Sequence, residues 1–122
     1  MARLGTLNDA GGIDLVPFTF AALDDRTLVS AVDHKPKRTT QLRRLANVRA
    51  RPSVTVLVDH YDEDWTRLWW VRARGVAEVF DQPATAHVDA LVAKYVQYRD
   101  RPPAGPAMVI RVTELTGWDA AG

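Results

Sequence analysis

Cysteine is absent from these 122 residues, which removes disulfides, thiolate nucleophiles and cysteine metal ligands from consideration. Long hydrophobic runs are missing as well, and nothing approaches the roughly 20 apolar residues needed to span a bilayer. Charge of one sign is nearly cancelled, with 16 basic against 15 acidic residues, whereas a general nucleic-acid binder carries a broad positive field. The N-terminal MARLGTLNDAGG has neither a basic n-region nor an apolar h-region, so a cytoplasmic location is expected. Lysine is scarce, limited to Lys35, Lys37 and Lys94. A chain of this length supports one hydrophobic core, and a single domain over residues 1 to 122 is expected.

Against that balance, the stretch AVDHKPKRTTQLRRLANVRARP, residues 31 to 52, concentrates positive charge. Lys35, Lys37, Arg38, Arg43, Arg44, Arg49 and Arg51 face one acid, Asp33. Thr39 or Thr40 can cap a helix running to about Arg51, and Pro52 stops it. Leu42, Leu45, Ala46 and Val48 would share one side, opposite Arg43, Arg44 and Arg51. Lys35, Lys37 and Arg38 therefore precede a helix N-terminus, where free N–H groups and the helix dipole favour an anion such as phosphate. Arg43 and Arg44, one turn later, would extend the positive surface towards an elongated anion. The competing reading is a solvated charged face.

Residues 3 to 8 and 14 to 22 are β-prone runs joined by Asp9-Ala10-Gly11-Gly12, a hairpin turn composition. A third strand at 27 to 33 follows Asp24-Asp25. After the helix, residues 53 to 61 form a β-branched run that is apolar on both faces through Leu57, as expected of a strand covered on two sides; a partner subunit is one candidate cover. Residues 68 to 80 read as a long strand with Gly75 marking a bulge or bend. Asp81 and Pro83 open a second helix carrying Val88, Leu91, Val92 and Tyr95. RPPAGP breaks it at 101 to 106, and a last strand at 108 to 115 precedes a Gly117-Trp118 tail. The order β-β-β-α-β-β-α-β predicts a mainly β, α+β domain: a small antiparallel barrel with peripheral helices.

Other candidate sites are weaker. DHYDEDW, residues 59 to 65, offers carboxylates but lacks the glycine and distant bidentate carboxylate of a calcium loop, so it reads as a solvated hairpin loop and no metal is expected. His34, His60 and His87 are scattered, and no spacing singles out a general base. Trp69 and Trp70, consecutive on a strand, must point to opposite faces, so one can enter the core while the other lines a cleft or subunit contact.

The stretches ARLGTL and LVPFTFA within residues 2 to 21, AVDHKPKRT at 31 to 39, DHYDEDWTRLWWVRARG at 59 to 75 and KYVQYRDRPPAGP at 94 to 106 resemble the split β-barrel superfamily of pyridoxamine 5'-phosphate oxidase-like flavoproteins. More closely, they are similar to its branch using the deazaflavin coenzyme F420. The resemblance implies a split antiparallel barrel of about six strands with peripheral helices, without the helix that usually precedes the first strand. It also implies a homodimer with cofactor sites at the subunit interface. Carried over by position, Lys35, Lys37, Arg38 and Thr39 match the family's phosphate-binding region, and Arg44 stands near a phosphate-binding lysine of relatives. Val16, Pro17 and Thr19 match the strand whose backbone lies along the cofactor ring, and Trp70 with Trp118 of the partner subunit are further candidates for cofactor contact. The implied activity is hydride transfer from F420 to an unsaturated small-molecule substrate. FMN is the alternative cofactor, and a non-catalytic F420 or haem carrier is the alternative role. Because the cofactor would supply the chemistry, no acid–base pair is required of the chain. A nucleic-acid module ranks last, since the basic stretch contains no stacking aromatics.

Overall fold

A computed structural model describes residues 2–31 and 39–121. The described residues form seven strands, three α-helices and a short 3-10 turn at Trp65–Arg67: β1 (Ala2–Leu7), β2 (Ile13–Phe18), β3 (Ala21–Asp24), β4 (Thr27–Ala31), α1 (Thr39–Ala50), β5 (Ser53–His60), β6 (Trp69–Phe80), α2 (Thr85–Lys94), α3 (Gln97–Asp100) and β7 (Ala107–Asp119). All ladders are antiparallel, and the strand order is β2-β1-β5-β6-β7-β4-β3. Strands β2 and β3 stand at opposite ends of that order, yet only Thr19 and Phe20 separate them. Three peptide steps reach about 11 Å at most, so the sheet must curl until its two edges nearly meet. The result is a barrel closed by a covalent crossing instead of a ladder.

That crossing accounts for the seventh strand. The run at residues 14 to 22 is one strand by composition, but it changes edges at Thr19-Phe20 and becomes two. The last strand is likewise longer than its composition suggests. Gly117 and Trp118 belong to β7, where Trp118 pairs with Trp70. The bulge expected at Gly75 is present as a register shift between Arg74 and Gly75, with Thr113 the extra residue on β7.

Alternation along the strands sorts residues into two faces. Inward-pointing Leu4, Val54, Val56, Ala73, Ile110 and Val112 form the barrel core with Phe18, and α1 plugs it by burying Leu45 and Val48. A second, smaller cluster of Ala21, Val29, Leu91 and Ala107 lies between the β3-β4-β7 side and α2, with Tyr95, Tyr98 and Phe80 packed against it. Nothing in the described chain covers the opposite outer face, on β2, β1, β5 and β6. There Ile13 and Leu15 are 69% and 67% exposed, beside a cleft of ≈ 580 Å³ lined by Gly5, Leu57, Arg74 and Val76.

Candidate functional site

Of the predicted cofactor residues, Val16 and Pro17 lie on the edge strand β2 and Arg44 lines a cleft beside it. An edge strand leaves alternate backbone N–H and C=O groups unpaired along its outer side, and α1 lies beside this edge. A cleft of ≈ 260 Å³ there is lined by Thr6, Asp14, Leu15, Val16, Arg43 and Arg44. Arg44 also reaches the far side of the split, lining a small recess with Ser30 and Ala31 of β4. Its side chain thus stands between the free edge of β2 and the end of β4.

The two arginines of that cleft differ in what they do. Arg43 grips Asp14 through two bonds, Nε to Oδ2 at 2.7 Å and Nη2 to Oδ1 at 3.2 Å. Asn8 and Asn47 donate to the same carboxylate at 2.9 and 2.8 Å, and buried Asn47 also donates to Thr6 Oγ1 at 3.0 Å. Hydrogen bonds from Asn8 and then Asn47, with Arg43 adding to them, hold the Asp14 carboxyl below the usual carboxylate range because each favours the charged form. Arg44, by contrast, has no acid partner among the described residues. Its Nε is buried without a hydrogen bond, and burial pushes the guanidinium pKa down from its usual value. A half-buried cation with an orphaned donor is costly to leave unmatched. An anion arriving at the split would supply the missing acceptor, so the residues present fit a phosphate-bearing group.

The positive stripe expected along α1 is not free. Arg43 is taken by Asp14, Arg49 by Asp81 at 2.5 Å, and Arg51 by Asp9 at 3.3 Å. These pairs fasten the helix to the β1–β2 turn, to β2 and to the segment after β6. Extended recognition of an anion by Arg43 is therefore corrected to a structural tie, and Arg44 is the arginine left over.

The remaining candidates fall as follows. Val16 points inward against the core, while Pro17 and Thr19 are exposed. Thr39 opens α1, although its side chain lies outside the described residues, as do Lys35, Lys37 and Arg38 entirely. Trp70 and Trp118 face each other across β6 and β7, lining a shallow surface recess with Trp69 and Gly117. They sit on the outer face of β6 and β7 and share no lining residue with the cleft at β2 and α1. Within one subunit, neither tryptophan lines the cleft of Val16 and Arg44.

Sequence reasoning passed over Arg72, whose guanidinium lies 5.4 Å from the Trp70 ring centroid and whose Nε is buried without a partner. Its alternation with Val71 and Ala73 was the available signal for an outward position. In the acidic loop, Asp62 accepts from Asp64 N at 2.8 Å, and Asp64 accepts from Thr66 N and Oγ1 at 3.1 and 2.7 Å. Its carboxylates thus serve the turn itself, and among the described residues no three His, Asp or Glu side chains gather as metal ligands. No helix among them is long and apolar enough to cross a membrane.

The chain is thus an antiparallel barrel split beside a plugging helix, with the unmatched Arg44 in the split. The family description that matches, over residues 1–119, is pyridoxamine 5'-phosphate oxidase, and the chain belongs to that family. The fold is similar to an F420 reductase, at a TM-score of 0.64 and 23% identity over 94% of this chain and 87% of that one. It is similar as well to a FAD-binding protein from Mesorhizobium loti, at 0.65 and 19% over 95% and 83%, and to the FAD-binding protein from Mycobacterium smegmatis, at 0.59 and 20% over 96% and 82%. At these identities the likeness is one of fold. No curated protein sequence matches the chain.

Proposed function

We propose that this protein is an oxidoreductase that holds a flavin-type cofactor in the split beside β2, with coenzyme F420 as the first candidate and an unsaturated organic molecule as hydride acceptor. The observation that carries the reading is Arg44, unmatched and half-buried between the two sheet edges. Lys35, Lys37 and Arg38 add charge in the sequence just before α1. When bound, the cofactor supplies the hydride transfer, and the chain binds, orients and excludes water. Arg44 would bind phosphate, the β2 edge would align the ring, and the flanking core would keep its inner side dry. The resemblance in the basic stretch and the fold shared with an F420 reductase support the deazaflavin.

One observation favours FMN instead. With Arg43, Arg49 and Arg51 paired to aspartates, the charge left near the split is compact and suits a single terminal phosphate. Fluorescence titrations with both cofactors, at low and high salt, separate the two. The expected result is tighter F420 binding at low salt, with an advantage that shrinks as salt screens exposed contacts; equal or tighter FMN binding hands the site to FMN.

We further propose a homodimer joined through the bare outer face, since an apolar sheet surface of that kind is seldom left to water. This pairing offers Trp70 and Trp118 a neighbour across the interface that their own subunit does not provide. Native protein is expected to sediment at twice the 13.6 kDa chain mass. Replacing Ile13 and Leu15 with glutamate should give a folded monomer. A native monomer at micromolar concentration would contradict the assembly.

A further inference from the structure

The stretch KYVQYRDRPPAGP carries no role in the site so far, yet its first two residues reach the place where the barrel closes. Tyr95 follows the last turn of α2. Its hydroxyl accepts a hydrogen bond from Phe20 N–H at 3.0 Å and donates one to Phe20 C=O at 2.8 Å. Lys94 Nζ donates to the same carbonyl at 2.5 Å and lies 4.0 Å from the centroid of the Phe20 ring. In an antiparallel ladder one residue exchanges both its N–H and its C=O with a single partner residue. Phe20, between β2 and β3, belongs to neither ladder, and one phenol performs that exchange for it. Tyr98 stands edge-on to the Tyr95 ring, 5.9 Å between centroids and 87° between planes, which restricts where the hydroxyl points.

The crossing therefore has a fixed position without a strand beside it. Residues 16 to 19, the β2 end and the start of the crossing, run directly into the pinned peptide. We propose that Tyr95 is a positioning residue for the cofactor: by holding both polar groups of Phe20 it sets the β2 edge against which the cofactor ring rests. Lys94 reinforces the hold at the carbonyl. The positioning role rests on the cofactor reading above, whereas the pinning stands on the hydrogen bonds alone.

The test is Tyr95→Phe, with Lys94→Met as a milder second variant. Hydrogen exchange without cofactor reads the pinning. The Phe20 amide is expected to exchange at least tenfold faster in Tyr95→Phe, with Leu4 and Ile110 unchanged. Titration with FMN and with F420 reads the positioning. About tenfold weaker binding and an altered visible spectrum of the bound cofactor are expected, with Tm close to native. Lys94→Met should move the same readouts in the same direction by less. Unchanged Phe20 exchange overturns the pinning. Faster exchange with native affinity and spectrum overturns the positioning role. A native protein that binds neither cofactor overturns the cofactor reading and the positioning role with it, while exchange still decides the pinning.

Discussion

Alanine at Gly75 is expected to destabilise the protein by about 3 kcal/mol, the upper part of the range for overpacking a well-filled site. Gly75 lies where β6 meets the β7 bulge. A Cβ there would collide with the Arg111 carbonyl oxygen and stand 3.0 Å from Ile110 Cγ2 and 3.1 Å from Arg111 C. Backbone is the obstacle, so no side-chain rotation relieves it. Relief requires β6 and β7 to part, and their ladder runs from Trp69 to Phe80. Alanine at Gly117, on the same strand pair, meets Trp70 O at 3.4 Å, an ordinary contact. That variant should stay within about 0.5 kcal/mol of native. Urea denaturation of both variants checks the pair: similar midpoints would show that the β7 bulge yields freely.

Methionine at Arg44 should separate binding from stability. Methionine keeps much of the apolar stem while removing the charge. Because the guanidinium is half-buried and has no acid partner among the described residues, its loss removes a desolvation cost and leaves stability equal or raised. Cofactor binding should fall, since a charge-assisted bond to phosphate contributes about 1.5 to 3 kcal/mol, or roughly ten- to a hundredfold in affinity. Parallel thermal melts and cofactor titrations measure both quantities. A destabilised variant with native affinity would make Arg44 a structural residue and remove the anion from the split.

The hairpin of β1 and β2, the helix α1 and the strands β5 and β6 were legible because each carries its own signal. Gly11-Gly12 marks the turn, Pro52 the helix end, and β-branched or alternating residues the strands. The crossing at Thr19-Phe20 was not, because FTFAA contains no turn residue. There the polar groups of Phe20 bond not a strand but the hydroxyl of Tyr95, 75 residues away. The pairing of Arg43, Arg49 and Arg51 was hidden for a similar reason. Their partners Asp14, Asp81 and Asp9 come from positions 29, 32 and 42 residues distant, and a local charge count cannot see them. Arg44 was legible as a candidate, but its distinction from Arg43 was not. Adjacent helix positions point about 100° apart, and only the fold decides which of the two meets an aspartate.

Strand β7 follows the six other described strands in sequence, yet it lies between β6 and β4 in the sheet. During synthesis, then, the β3–β4 hairpin and the β1-β2-β5-β6 group emerge first as two pieces with no shared ladder, each presenting an unpaired edge. Unpaired edges invite pairing with the wrong chain. Only when residues 107 to 119 clear the ribosome can one strand fill the slot between the pieces and pair both edges at once. The barrel's closure therefore waits for β7, and until that strand is in place both edges stay open to wrong pairing.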